Sequence, residues 1–159
     1  MRAARLHEMG GIPQVDDVDE PRGSDLLEVA ASSLNPIDIS IGSGRFYGGT
    51  PDMPYVVGSE VIGRTADGRR LWYPVRGTMA ERVVIEQPQR AVDVPEGVDD
   101  GIALACGIAG VTGWLAVTWC APVTPDDTVL VLGASGTLGA TAVQAAKTLG
   151  AQRVIGGAR

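Results

Sequence analysis

The sequence predicts an all-β N-terminal half followed by the beginning of a parallel α/β domain. Up to about Val94, short apolar segments alternate with Gly, Pro, Asp and Asn at a spacing of roughly 8 to 12 residues, which is typical of an antiparallel barrel or sandwich. The chain then becomes Ala-rich with helical spacing, and later an apolar strand runs into a glycine-rich turn and a helix. We therefore predict two domains, residues 1–95 and 96–159.

Strand patterns recur along the first half. The run MRAARLHE alternates weakly, and residues 25–34 have the pattern of a half-buried strand. Further strands are predicted within residues 55–66, in RRLWYPV and in TMAERVVIEQ. Between two of these strands, Asp67-Gly68 supplies the positive φ angles of a tight turn, which predicts a β-hairpin.

The second half begins with helices and ends with one βαβ unit. Asp99 and Asp100 stand where negative charge favours a helix start, and the following residues predict a short helix and then a longer one that ends near Pro122. The run VLVLG resembles a strand buried on both faces of a parallel sheet. The next helix is predicted to end at Gly150, before a second strand. One face of that helix carries Leu138, Ala142, Ala145, Ala146 and Leu149.

Composition and charge exclude several classes of function. The net charge is −6, and 12 arginines with a single lysine are spread along the chain, so nucleic acid is not expected as a partner. The prediction includes no apolar stretch long enough for a membrane span and no signal peptide. Cys106 and Cys120 show no paired framework, and we expect both to be reduced and buried. The predicted location is the cytoplasm.

The glycine-rich turn carries the strongest functional motif. In dinucleotide-binding units the first glycine makes the turn, the second admits the pyrophosphate and the third allows close packing of helix and strand. Gly133, Gly136 and Gly139 would fill these roles, although the spacing is one residue longer than in the usual G-x-G-x-x-G. The alternative is a turn that uses glycine for its geometry alone. The candidate cofactor-binding residues are Gly133, Ala134, Ser135, Gly136, Thr137, Leu138 and Gly139.

The end of the second strand favours NADPH as the cofactor. NAD-binding units usually place a carboxylate there for the ribose hydroxyls, and this chain has only glycine, alanine and Arg159. Arg159 could pair with a 2′-phosphate. A solvated arginine is the alternative.

Five segments resemble the medium-chain dehydrogenase/reductase superfamily, specifically its zinc-independent quinone oxidoreductase branch. They are ASSLNPIDISIGSG, MPYVVGSEVIG, GTMAERVVI, GIAGVTGWLAV and VLVLGASGTLGATAVQAAKTLGA, in the family order. The resemblance implies a GroES-like β-barrel domain, a Rossmann-type cofactor domain and an active site in the cleft between them. Full members are about twice as long, and a homodimer is implied for a full-length parent.

The zinc positions of the superfamily are not filled by zinc ligands. By resemblance, the first Cys position is Asn35, the His position is Ser59, and the third position falls near Ile108, with Cys106 close by. The sole histidine, His7, lies in the predicted first strand. We therefore predict that no metal is bound.

The resemblance also implies the catalytic residues. Asn35 would lie near the nicotinamide and the substrate, and Thr112 would contact the nicotinamide carboxamide. Phe46 or Tyr47 would fill the aromatic position of the pocket, and the hydroxyl makes Tyr47 the better proton donor.

Each of these residues also has a structural interpretation. Asn35 precedes a proline and could form a turn, and Thr112 could cap a helix. Asp38 is expected to make a structural hydrogen bond or salt bridge, and Ser59 to fill a former ligand position.

These observations lead to one main hypothesis and two alternatives. The first is a zinc-independent, NADPH-dependent oxidoreductase that reduces quinones or enones. The second is an enoyl reductase or alcohol dehydrogenase of the same superfamily. The third is a non-catalytic, truncated nucleotide-binding module.

Overall fold

The computed structural model describes residues 1–158, which divide into two compact units, Met1–Leu104 and the residues from Ala105 onward. The first unit consists mainly of antiparallel strands, and the second combines helices with a parallel sheet. The predicted fold class is therefore confirmed. The sequence division at residue 95 lies before the helix that ends the first unit, and as a domain boundary it stays a prediction.

The smaller sheet of the first unit contains the N-terminus. Its central strand pairs antiparallel on both sides, and a further bridge joins Ala3 to Ala80. In spatial order the strands are β2 (Gln14–Asp17), β1 (Arg2–Leu6) and β4 (Tyr55–Val56).

The larger sheet of the first unit is five-stranded and antiparallel. The hairpin predicted at Asp67-Gly68 joins two of its strands, with Gly68 at φ +87° and the Thr65 N–H donating to the Arg69 carbonyl over 3.0 Å. The hairpin is thus confirmed, whereas the positive φ expected at Asp67 is not found, because only glycines among the described residues have a positive φ. In spatial order the strands are β7 (Arg82–Val84), β3 (Leu26–Ser32), β5 (Val61–Arg64), β6 (Arg70–Tyr73) and β8 (Val92–Asp93).

Alternating apolar residues of these strands form the core of the first unit. Helix α1 (Pro36–Gly42) follows β3 and begins with a proline, whose fixed φ angle suits the first helical position. A single 3₁₀ turn covers Pro88–Arg90. The buried core residues are Leu27, Val61, Leu71, Tyr73 and Ile85.

Two predicted helices precede the parallel sheet. Helix α2 (Asp100–Ala105) is capped by Asp99, which accepts hydrogen bonds from the backbone N–H groups of Gly101 and Ile102. The backbone then leaves helical geometry at Gly107, where ψ is −128°. Helix α3 (Val111–Leu115) follows, flanked by the π-helical segments Cys106–Gly110 and Ala116–Cys120. The prediction of two helices is confirmed.

The same helical segment corrects a prediction about membranes. Asp100–Cys120 spans 21 residues and, by length and composition only, is apolar enough to cross a bilayer. The expectation that no apolar stretch approaches that length is therefore wrong, because the sequence pattern separates the two helices. An apolar core helix of a soluble protein meets the same criterion.

The βαβ unit forms as predicted from its sequence pattern. Strands β9 (Thr128–Leu132) and β10 (Arg153–Gly157) pair in parallel, with helix α4 (Thr137–Thr148) between them. Gly150, at φ +88°, donates to the Lys147 carbonyl, and Ala151 donates to the Ala146 carbonyl. These paired bonds are a Schellman motif, so the predicted stop at Gly150 is confirmed.

The burial of this unit differs from the prediction. Strand β9 is predicted to be buried on both faces, yet Leu130 and Leu132 are 61% and 79% exposed. Among the described residues, helix α4 packs on one face of the sheet, and its cluster includes Val129 and Val131. Leu138, expected on the buried helix face, is 44% exposed because it lies in the first turn, before the buried alanines.

The cysteines also differ from the prediction. Cys106 and Cys120 are both exposed, although both are free thiols as expected. Cys106 begins and Cys120 ends the helical stretch 106–120, and both lie outside the cluster formed by Val117 and the alanines of α4. Both cysteines lie in apolar stretches of the sequence, so composition alone pointed to burial.

Candidate functional site

A group of interacting polar residues surrounds the start of helix α1. This buried polar cluster consists of Ser33, Asn35, Asp38, Ser59 and Glu60, of which Asn35, Asp38 and Glu60 are buried. The segment between β3 and α1 supplies two of these residues, and the loop before β5 supplies two more. The cluster therefore connects the N-terminus of helix α1 to the loop that precedes strand β5.

Asn35 is held by hydrogen bonds on both its backbone and its side chain. The amide nitrogen Nδ2 donates to Ser33 Oγ over 2.8 Å and to Glu60 Oε1 over 2.7 Å. Its backbone N–H donates to Asp38 Oδ2 over 2.7 Å. Both amide hydrogens are thus engaged, so the plane and orientation of the Asn35 side chain are set by the protein.

Glu60 organises the cluster, and sequence reasoning missed it. Its side chain has no exposed area, and its carboxylate accepts hydrogen bonds from Ser33, Asn35 and Trp72. The Trp72 indole N–H donates to Oε2 over 2.8 Å. Donors therefore reach both carboxylate oxygens. A lone acidic residue at the entry to the apolar run VIG was the available sequence signal.

Asp38 links the residue before helix α1 to the loop before strand β5. One carboxylate oxygen accepts from the Asn35 backbone and the other accepts from the Ser59 hydroxyl. The expectation that Asp38 makes a structural hydrogen bond is confirmed. Ser59, at the superfamily's histidine position, therefore donates to a carboxylate within the fold.

The chemistry of this cluster does not suit a zinc ion. Zinc in proteins favours thiolate and imidazole ligands, whereas the positions implied by resemblance present the Asn35 amide and the Ser59 hydroxyl. Across residues 1–158, no group of three or more His, Cys, Asp or Glu side chains is arranged to hold a metal.

The other candidate catalytic residues, Tyr47 and Thr112, are both exposed. Tyr47 is 97% exposed and packs against Phe46, with ring centroids 4.7 Å apart. Thr112 belongs to the second unit, where its exposed hydroxyl donates to the Ile108 carbonyl one turn earlier. This bond is a helix-interior contact, not the cap that we considered as the alternative.

A cavity of about 370 Å³ adjoins the cluster on the first unit. Asp38, Ser43 and Tyr55 contribute polar groups to an otherwise apolar lining. Burial raises the pKa of the Tyr55 hydroxyl, and the nearby Asp38 carboxylate raises it further, while Arg76 acts weakly in the opposite direction. Tyr55 thus remains a neutral hydrogen-bond donor over a wide pH range. The sequence pattern indicated Tyr55 only as a residue of a predicted strand.

The glycine turn, residues 133–139, connects strand β9 to helix α4. Gly133 adopts φ +75°, and the N–H groups of Gly133 and Ala134 donate to the Gly157 carbonyl over 2.9 and 3.0 Å. Gly136 is the N-cap of α4, and no side chain caps the helix there. The first-turn N–H groups therefore lack helical partners, and the residues around them are exposed.

The three glycines differ in what the fold requires of them. A Cβ on Gly139 would lie 2.2 Å from the Gly133 carbonyl oxygen, so close packing excludes any side chain. A Cβ on Gly136 would lie 3.5 Å from the same oxygen, an ordinary contact. The fold therefore favours glycine at position 133 because of its positive φ, and at position 139 because a Cβ would overlap the backbone. At position 136, no contact among the described residues excludes a side chain. Arg159 lies outside the described residues.

Comparison with known proteins identifies relatives over nearly the whole chain. Quinone oxidoreductases of Homo sapiens and Pongo abelii are each 33% identical over 169 residues, covering 94% of this chain and 50% of the relative. The solved quinone oxidoreductase of Thermus thermophilus, also determined with NADPH, superposes with a TM-score of 0.89 at 32% identity, covering 98% of this chain and 52% of that one. No protein-family model matches.

A second solved structure agrees with the first. Quinone oxidoreductase of Escherichia coli, in complex with NADPH, superposes with a TM-score of 0.87 at 25% identity, covering 98% of this chain and 52% of that one. The chain spans about half the length of the curated relatives it matches. Its motifs, the order of its two units and these similarities agree, and the chain is homologous to about half the length of quinone oxidoreductases of the medium-chain dehydrogenase/reductase superfamily.

Proposed function

We propose that this chain contributes the N-terminal domain and the opening of the cofactor domain of an NADPH-dependent reductase, which transfers hydride to quinones or α,β-unsaturated carbonyl compounds without zinc. The observation that carries the proposal is the glycine turn. Its first and third glycines serve the fold, and Gly136, which the described residues do not constrain, lies at an uncapped helix start. An approaching ligand explains a glycine at this position.

Residues 133–139 would hold the diphosphate of the cofactor. The first turn of α4 offers unpaired N–H groups together with the positive end of the helix dipole, both of which favour an anion. When bound, NADPH supplies the hydride. Two features support NADPH over NADH: the absence of a carboxylate at Gly156, Gly157 and Ala158, and the presence of Arg159 in the sequence. Relatives solved with NADPH support the same choice.

A reaction without a metal requires hydrogen bonds to the acceptor oxygen. Quinones and enones suit this need because they spread the added charge over a conjugated oxygen. We propose that the fixed amide of Asn35 orients the reacting groups, that Thr112 contacts the nicotinamide carboxamide, and that Tyr47 is a candidate donor with an exposed hydroxyl. A cytoplasmic location and a homodimeric full-length parent belong to the same proposal.

An alcohol dehydrogenase or enoyl reductase is the second candidate within the superfamily. A zinc-type alcohol dehydrogenase-like protein of Schizosaccharomyces pombe is 28% identical over 148 residues. The amide and hydroxyl at the zinc positions argue against the alcohol branch. The match to about half of each relative is compatible with a nucleotide-binding module that does not catalyse the reaction alone.

Titration of the purified chain with NADPH and NADH, followed by nicotinamide fluorescence, tests the proposal. We expect saturable binding that is at least tenfold tighter for NADPH. Equal binding of both would contradict the assigned cofactor, and binding of neither would contradict a working site in this chain. A subsequent duroquinone turnover assay separates an active reductase from a binding module.

A further inference from the structure

The cavity beside the buried polar cluster has the composition of a small-molecule site. Its volume is about 370 Å³, and helix α1, the end of β1, strand β4 and the loop after β1 surround it. Pockets of this kind combine an apolar lining with a few polar groups that orient the ligand. The apolar side chains are Leu6, Pro13, Leu34, Ile39, Val57 and Met79.

Two hydroxyl groups line this cavity, and because the Ser43 hydroxyl donates to the Ser40 carbonyl, Tyr55 supplies the available donor. Within residues 1–158, no hydrogen bond to its hydroxyl is found, and an alanine methyl at Gly42 would lie 3.4 Å from that oxygen. The hydroxyl therefore lies against the last turn of α1, at the cavity wall. Its raised pKa keeps the proton in place, so the group can donate to a ligand oxygen.

Asp38 defines which ligands the cavity disfavours. Each of its oxygens accepts a hydrogen bond within the fold, from Asn35 and from Ser59. The carboxylate nevertheless brings negative charge to the cavity and raises the pKa of Tyr55 in addition to the effect of burial. An anionic ligand would be repelled, whereas a neutral carbonyl compound would meet an apolar wall and a hydroxyl donor.

We infer that this cavity binds the ring of a neutral, apolar carbonyl acceptor and that the Tyr55 hydroxyl donates a hydrogen bond to the carbonyl oxygen. The inference rests on the proposed reductase function and names its acceptor class. It also assigns the donor role to Tyr55, in place of the exposed Tyr47.

The test measures binding of duroquinone to the whole chain by isothermal titration calorimetry, with backbone amide NMR shifts locating the site. We expect saturable binding that shifts residues around Tyr55. The Tyr55→Phe variant should bind about tenfold more weakly, because one hydrogen bond to the ligand is lost. Thr128→Val, which removes an exposed hydroxyl from strand β9 of the second unit, is the control and should bind like the unaltered chain.

A second variant makes the cavity itself testable. Gly42→Ala places a methyl group 3.4 Å from both Leu6 Cδ2 and Tyr55 Oη, an ordinary contact that keeps the fold and narrows the cavity. We expect it to weaken duroquinone binding at least tenfold while leaving the urea midpoint within error. Acetophenone should bind and benzoate should not, because they share a ring and differ in charge.

The outcomes separate this inference from the proposed function. Unchanged duroquinone binding in both Tyr55→Phe and Gly42→Ala, or equal binding of benzoate and acetophenone, would overturn the cavity assignment. Absence of duroquinone binding to a chain that binds NADPH would overturn the cavity assignment alone. Localised duroquinone binding without NADPH binding would support the cavity and overturn the proposed cofactor site.

Discussion

At the scale of single residues, Glu60 explains how the first unit holds Asn35. The carboxylate is fully buried, and hydrogen bonds from Ser33, Asn35 and Trp72 replace its hydration. A buried carboxylate without such donors would be strongly unfavourable. Glu60 therefore acts on Asn35 as a positioning residue, and the indole of Trp72 secures the other oxygen.

We predict that Glu60→Gln destabilises the first unit by about 2–3 kcal/mol. The substitution replaces one acceptor oxygen with an NH₂ group, which then faces the N–H of either Trp72 or Asn35. One of these donors must lose its bond. Urea unfolding followed by far-UV circular dichroism measures the loss, and the indole N–H resonance of Trp72 reports the site directly.

The control for this variant is Glu86→Gln. Glu86 is exposed, so the same chemical change there should leave stability within about 0.5 kcal/mol. If Glu60→Gln is equally neutral and the Trp72 resonance does not move, the hydrogen-bonded cluster does not contribute as described.

At the scale of elements, the three glycines of the glycine turn have different structural roles. Gly133 makes a turn with positive φ, Gly139 lets helix α4 lie against that turn, and Gly136 begins the helix at φ −79° and ψ 160°. An alanine can adopt the Gly136 conformation without strain. The fold therefore constrains positions 133 and 139, whereas the proposed ligand constrains position 136.

We predict that two alanine substitutions in this turn affect different properties, one the stability of the second unit and the other its affinity for NADPH. Gly139→Ala should destabilise the second unit by about 3 kcal/mol or more, because its Cβ overlaps the Gly133 carbonyl. Gly136→Ala should leave the urea midpoint nearly unchanged and weaken NADPH binding at least tenfold. Calorimetric titration with NADPH and urea unfolding of both variants provide the measurements.

Each variant serves as the control for the other. Full NADPH affinity in Gly136→Ala would show that the second glycine does not face the cofactor. Normal stability in Gly139→Ala would show that the packing of α4 on the turn is looser than described.

At the scale of the whole molecule, the parallel sheet has one covered and one open apolar face. Successive residues of a strand point to opposite sides, so Val129, Val131 and Val154 pack with the α4 cluster while Leu130 and Leu132 face away. Exposed apolar patches of this kind favour association between molecules.

We predict that the double variant Leu130→Thr, Leu132→Thr associates less than the unaltered chain. Threonine retains β propensity and removes apolar surface from the open face. Sedimentation velocity over a concentration series should show a smaller weight-average mass for the variant. The matched pair Val129→Thr, Val131→Thr lies on the covered face and should instead lower stability. Equal self-association of the chain and the Leu variant would contradict this account.

Much of the fold could be predicted because it depends on local chemistry. The Asp67-Gly68 hairpin, the stop at Gly150 and the turn at Gly133 follow from glycine's access to positive φ, which the adjacent sequence reveals. Helix and strand types follow from apolar periodicity. These features require no knowledge of distant parts of the chain.

The predictions that were wrong concern the burial of individual side chains. Leu130, Leu138 and the two cysteines looked buried by composition, but a pattern shows which residues share a face and not whether another element packs on it. Likewise, the apolar length of Asp100–Cys120 was underestimated, because the sequence pattern predicted a short helix and a longer one, whereas together they form a helical segment of 21 residues.

The sequence by itself determined the order of the two units, their element types, the glycine turn and the family resemblance. Only the tertiary structure decided the pairing of Glu60 with Asn35, 25 residues apart, and with Trp72, 12 residues apart. It also decided that Tyr55 lines the cavity while Tyr47 is exposed. The physical reason is that burial and hydrogen bonding between distant segments depend on chain closure, which no local pattern encodes.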